Sequence, residues 1–326
     1  MPASRRAAQV DVRRALDRLR ALRGDPERRR EFAIELLAET DSAELLPSVL
    51  DILAQQPGSD LRDGLHAKYS VLEALPKKRD PGGFVRAAII RVLQGAAGPD
   101  DVPLFERAIA TYEPTPADTN GPAVLRAAGL VALAGADAQS AALHAVPLLA
   151  QTARASAMTG EPALTAARVL AALGEDTALY LFAEMGLTDP LGTNTEVVAE
   201  SVRALTALPA RHLLALFALS RSSDTVIEAA FIDVVIEHAP DETLTAWLAQ
   251  LLRSTRSDDL YAFAVTSMVA KHGDHLLRVL EGLASGETAV PRLKTLESSL
   301  SMLAGDARAD AALAAVRSKL AAVHGS

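Results

Sequence analysis

The residues able to do chemistry are few and scattered. Lys271-His272-Gly273-Asp274-His275 sets two imidazoles three apart with a carboxylate between them, a spacing that suits two metal ligands. No third ligand lies close in sequence, and Gly273 marks an inter-helix turn after which Asp274 would cap the next helix. His238, between Glu237 and Ala239-Pro240, reads as a helix C-terminal residue, where a cation favours the dipole. Paired carboxylates stand at Asp100-Asp101 and Asp258-Asp259, but both pairs precede an apolar helix and capping accounts for them. Residues 192–196, GTNTE, lack the lysine of a phosphate loop, and no Gly-x-Ser-x-Gly elbow exists. The chain has no cysteine, which removes disulfides, thiolate metal sites and cysteine nucleophiles. This inventory assigns no catalytic residue, no metal and no cofactor.

The elements that would have to position any site are helices. Residues 84–109, FVRAAIIRVLQGAAGPDDVPLFERAI, are the sharpest example. Phe84, Ala88, Ile89, Val92 and Leu93 form an apolar stripe at helical spacing, with Arg86, Arg91 and Gln94 off it. Gly95 and Gly98 stop the helix, Asp100 or Asp101 can cap the next, and Pro103 sits where a missing N–H costs nothing. Two short amphipathic helices cannot bury both faces alone, so the pair needs neighbours like itself. With 49% hydrophobic but only 4% aromatic residues, the core must be aliphatic, which suits close helix packing better than a β-sandwich.

Related segments follow. AVLRAAGLVALAGADAQSAALHAVPLLAQ (123–151) repeats the pattern, with Leu125-Arg126-Ala127-Ala128 answering Val85-Arg86-Ala87-Ala88 and Val146-Pro147 answering Val102-Pro103. Residues 163–186 are a third copy, and looser copies run over 195–219, 224–253, 258–284 and 289–322. Upstream, 26–40 and an Asp-capped 41–56 read as a first and second helix, and 61–75 as a further one. Leu93, Leu133 and Leu173 lie 40 apart, and Leu37 to Leu75 is 38. Leu208, Val235, Met268 and Leu303 continue the series at 35, 27, 33 and 35, while the Leu75–Leu93 step of 18 is irregular. A period of this size with two helices per unit is a helical solenoid.

The segments 84–109 and 123–151 resemble HEAT repeats and their armadillo-like and bacterial lyase-type relatives. Arg86 and Arg126 match a recurrent position of that family, and Asp100 or Asp101 and Asp137 fall in its inter-helix turn. The resemblance implies an all-α fold, a right-handed α-solenoid (alpha-alpha superhelix) of HEAT-like two-helix repeats. On that basis residues 1–24 are a basic N-terminal capping helix. Residues 25–326 are a single solenoid of about eight helix pairs, irregular around 57–83.

The charge is uneven. Residues 1–30 carry ten Arg against four acids, so within a total of −8 the remainder carries −14. The N-terminus lacks the apolar run of a signal peptide, and the longest apolar stretches, such as 127–136, fall far short of the ~20 residues of a membrane span. The expectation is a cytoplasmic protein without membrane attachment.

A solenoid binds by default through its second helices, which line the concave face. The exposed polar candidates there are Glu106, Arg107, His144, Gln151, Arg154, Glu184, Arg211, Gln250 and Arg253. Trp247 is either core or an exposed anchor, and Tyr112 opens a long polar loop, 112–122, that pairs with a second at 187–194. The reading favoured is a non-enzymatic scaffold or adaptor for a protein partner. A nucleic-acid-associated protein using the N-terminal arginines, with Arg253, Arg256, Lys271 and Arg278, is the alternative that the acidic body disfavours. The resemblance also admits a HEAT-fold enzyme of DNA-glycosylase or bilin-lyase type. A glycosylase, however, wants a cationic face and stacking aromatics, and this chain has one Trp.

Overall fold

Helix starts are written locally. Asp25 accepts from the Arg28 amide, Asp137 from Ser140, Asn194 from Glu196 and Val197, Asp241 from Thr243 and Leu244, and Asp306 from Arg308 and Ala309. A computed structural model describes residues 2–113, 121–151, 159–189, 194–220 and 224–324. Among the described residues there are nineteen α-helices and no strand, and the helices pack in neighbouring pairs.

Two compact units result, Met1–Leu173 and Gly174–Ser326. The first contains α1 (Pro2–Ala21), α2 (Pro26–Glu39), α3 (Leu46–Ala54), α4 (Arg62–Glu73), the four-residue α5 (Pro76–Arg79), α6 (Phe84–Gln94), α7 (Val102–Ala110), α8 (Ala123–Ala136), α9 (Ala138–Ala150) and α10 (Ala163–Leu173). Here α3, α6, α8 and α10 lie side by side in one layer, and α2, α4, α7 and α9 form the other. The second contains α11 (Asp176–Thr188), α12 (Thr195–Arg203), α13 (Ala210–Leu219), α14 (Thr225–Glu237), α15 (Glu242–Ser254), α16 (Asp258–Lys271), α17 (Asp274–Gly286), α18 (Val290–Leu300) and α19 (Ala307–His324). Its layers are α12, α14, α16 and α18 against α11, α13, α15, α17 and α19.

This layering revises the register. Because α3 packs beside α6, it is a first helix and not the second helix expected of residues 41–56. Leu53, fully buried near the end of α3, is then 40 residues before Leu93, and the irregular step disappears. Leu75 lies between α4 and α5, outside any first helix. In the second unit Leu208 and Leu303 lie outside α-helices. The buried residues near the ends of α12, α14, α16 and α18 are Val202, Val235, Met268 and Leu300, spaced 33, 33 and 32. Pro147 also departs from expectation: Pro103 opens α7, but Pro147 sits inside α9, because α9 continues as one helix through the stretch that is a 3-10 turn before α7. Asp41 caps nothing; it meets Lys68 at 2.9 Å and Arg79 at 3.0 Å, and the Lys68 bond foremost holds its carboxyl below the usual range.

Small residues let the layers approach closely. A Cβ on Gly129 in α8 would stand 3.0 Å from the Ala108 side chain and from the Phe105 carbonyl of α7, so any larger residue requires α7 and α8 to give by a few tenths of an ångström. Helix ends are closed by cations from neighbouring repeats. Lys68 Nζ donates to Thr40 O (2.7 Å), Arg126 Nε to Ile109 O (3.0 Å), and Arg292 Nη2 to Thr255 O (2.7 Å). Lys319 Nζ serves the carbonyls of Ala284, Ser285 and Glu287 at 2.6–3.0 Å.

The most committed side chain is Arg86, fully buried in α6. It donates through Nε to Asp80 (3.0 Å) and through both terminal nitrogens to Glu113 (2.8 and 2.7 Å). Asp80 also takes the Val85 and Arg86 amides, closing the N-terminus of α6. Burial alone would make Arg86 easier to deprotonate, but bonding to Glu113 and Asp80 outweighs it and the guanidinium is held more firmly charged than usual.

Arg86→Met leaves Asp80 and Glu113 facing no cation and costs about 3–5 kcal/mol of unfolding free energy at neutral pH, readable by urea titration. Burial, with Glu73 beside it, raises the Tyr69 hydroxyl from 10.0 to about 12. The folded chain keeps this proton where the unfolded chain loses it, so the stabilisation is complete below pH 10 and is lost as pH rises towards 12. Urea midpoints measured across that window fall by the equivalent of about 2 kcal/mol, and Tyr69→Phe reduces the fall.

Candidate interaction surface

The polar candidates that lie within described helices are on the second layer of their unit. In the first unit Glu106 and Arg107 are on α7 and His144 on α9; His144 Nε2 stands 3.4 Å from Glu106, and Arg107 Nε 3.6 Å from Glu73 on α4. His144 and Glu106 are thus brought together, while Arg107 turns toward α4. Gln151 stays exposed but is engaged by Arg126, which donates to its Oε1 at 2.9 Å. Arg154 lies outside the described residues, as do 114–120 and 190–193 of the two long loops. Tyr112 is 61% exposed beside the first of these.

In the second unit Glu184 is half-buried on α11, Arg211 is exposed on α13, and Gln250 and Arg253 are exposed on α15. Trp247 is a packing residue. Its ring lies 4.5 Å from Phe217 of α13 and 6.1 Å, edge-on, from Phe231 of α14, and the two phenylalanines are 4.4 Å apart.

The residues weighed for chemistry are dispersed into structure. His272 ends α16 with a positive φ of 48°, in the inter-helix turn that Gly273 marks. Gly273 is the N-cap of α17, and Asp274 is the first helical residue, not the cap. Burial, then Arg278, makes His275 harder to protonate than an ordinary histidine. Asp101 is buried beneath the α7 N-terminus, accepting from the Gly98 amide (2.8 Å), with His66 Nε2 at 2.7 Å and Arg62 at 3.2 Å. Asp258 pairs with Arg292 at 2.8 Å, and Ser257 is the N-cap before it. Asp233 is harder to ionise than usual because burial outweighs its bond to Arg203. Among the described residues no group of three or more His, Asp or Glu could hold a metal ion, and no helix is long and apolar enough to cross a membrane.

The N-terminal arginines are partly spent on the fold. Arg18 stacks over Phe32 at 4.0 Å, Arg20 pairs with Asp17 at 3.2 Å, and Arg30 reaches Asp60 at 2.7 Å.

The surface carries two further features that the residue types did not announce. Exposed apolar side chains sit on second-layer helices: Leu143 (70%) and Val146 (46%) on α9, and Leu181 (57%) and Met185 (56%) on α11. On the other layer of the first unit, α6, α8 and α10 enclose an open cleft of about 340 Å3. Val124, Ala127, Ala128 and Val131 of α8 form its apolar part, with Arg91 and Gln94 of α6 and Glu161 and Thr165 at its edges. No family model, no curated protein and no solved structure matches the chain. The sequence signal for the cleft was present in α8, whose alanines lie on both faces and leave a trough between bulkier neighbours.

As a member of an aromatic stack, Trp247 is sensitive to truncation and tolerant of a smaller ring. Trp247→Ala lowers unfolding stability by about 3 kcal/mol while Trp247→Phe costs under about 1.5 kcal/mol, measured by chemical denaturation followed by circular dichroism.

Proposed function

We propose that the chain is a HEAT-like α-solenoid that works as a non-enzymatic scaffold, binding a protein partner through its second-helix face. The observation that carries this reading is the set of exposed apolar side chains on second-layer helices. Leu143 and Val146 are one turn apart on α9, and Leu181 and Met185 one turn apart on α11. Scattered exposed apolar residues need no explanation, but pairs on one helical face are anchors of the kind protein interfaces use. On the same helix as the α9 pair stands His144, which meets Glu106 of α7; both are polar groups suited to an interface rim. Pro147 adds a main-chain element: having no N–H, it leaves the Leu143 carbonyl without its i+4 helical donor. The titratable groups of the repeat turns support the same reading, since Asp80, Arg86, Asp101 and Glu113 are tied to one another, to His66 and Arg62, or to helix ends.

Affinity purification of the full chain with quantitative mass spectrometry tests the proposal. Wild-type chain is compared with Leu143→Glu/Val146→Glu and with Leu181→Glu/Met185→Glu, all exposed positions that tolerate the change. A defined partner recovered with the wild type drops by about tenfold or more with at least one pair. Recovery unchanged by both pairs overturns the reading.

A further inference from the structure

The cleft between α6, α8 and α10 is independent of the second-layer face. Val124, Ala127, Ala128 and Val131 stand at i, i+3, i+4 and i+7 of α8, one stripe about two turns or 10 Å long. The charges at its edges differ in availability. Glu161 Oε2 accepts from the Thr165 amide at 3.2 Å and so serves the start of α10. Arg91 is exposed and makes no ion pair among the described residues.

We propose that this cleft docks a short amphipathic helix from a partner protein, carrying two apolar side chains one turn apart and a carboxylate that meets Arg91. Its walls are helices, whose main-chain donors and acceptors are used internally, so an extended peptide finds no strand edge to join. Recognition must run through side chains, and a shallow trough of Val and Ala admits apolar ones without a clash. The stripe is as long as two turns of a docking helix. Arg91, exposed and in no ion pair among the described residues, beside an apolar floor that lowers competition from water, selects a carboxylate at the α6 side. Glu161, its Oε2 bonded to the Thr165 amide, disfavours one at the α10 side. This places the occupant in the class of acidic amphipathic helices, on a face separate from Leu143 and Val146.

The test is a selection of phage-displayed helical peptides of about fifteen residues, long enough to hold helix in isolation, against the full chain. Enriched peptides are expected to share two apolar residues at i, i+3 or i, i+4 with Asp or Glu within a turn. Fluorescence anisotropy then shows binding weakened about fivefold by Arg91→Glu. Ala127→Trp, which fills the trough, weakens it by about tenfold or more. Reselection against Arg91→Glu returns Lys or Arg in place of the acid. Val131→Asp serves as the floor variant if Ala127→Trp shifts the urea midpoint. Leu143→Glu/Val146→Glu leaves peptide binding untouched, which keeps this site distinct from the scaffold face. Enrichment of extended or basic sequences, no enrichment, or affinities unmoved by both Arg91→Glu and the floor variant overturns the proposal.

Discussion

A chain built of many short helices has one recurring debt, the unsatisfied carbonyls at every helix end. Glycine caps and water can take some of them, but where an end is pressed against the next repeat another group must reach it. Here that group is a cation from a neighbouring repeat. Lys68, Arg126 and Arg292 each donate to one carbonyl at a helix end, and Lys319 donates to three. The acidic counterpart closes the N-terminal ends, as Asp80 does for α6 and Asp101 for the turn before α7. An aliphatic core with few aromatics packs without directional preference, and these polar contacts supply the register that Leu, Val and Ala do not specify.

How far the fold was legible follows from this division. Helix existence was written in apolar spacing and in caps, and every repeat from residue 84 onward was found close to its observed bounds. Phasing was not, because a leucine ends many helices and its type does not say which layer the helix joins. Leu37 and Leu75 gave a plausible spacing of 38, whereas the packed series runs through Leu53. A change of period hid the second unit as well: its buried markers recur at about 33 residues, so markers chosen to continue a 40-residue series slid into the turns at Leu208 and Leu303. Pro147 misled for a local reason. At an exposed position proline costs one hydrogen bond but no core contact, and α9 runs through it.

The candidate surfaces were legible in part. Polar residues on second helices could be assigned to a layer, because helical periodicity puts them opposite the buried stripe. Which of them stay free to meet a partner depends on contacts across repeats. Gln151 is held by Arg126 and Trp247 packs against Phe217 and Phe231 of neighbouring helices, neither of which its own helix reveals. The cleft left a quieter trace: it follows from the small residues on the outward face of α8, a signal of missing bulk and not of any reactive type.

These four carbonyl clamps share a direction, although Arg30 reaches forward to the Gln56 carbonyl past α3 and Arg62 to the Ala96 carbonyl past α6. In each, the cation lies later in the chain than the helix end it closes: Lys68 after Thr40, Arg126 after Ile109, Arg292 after Thr255, Lys319 after Ser285. On a ribosome the chain emerges N-terminus first, so at these four places a helix waits with open carbonyls until its successor supplies the donor. There synthesis and closure run the same way, the later helix sealing the earlier end.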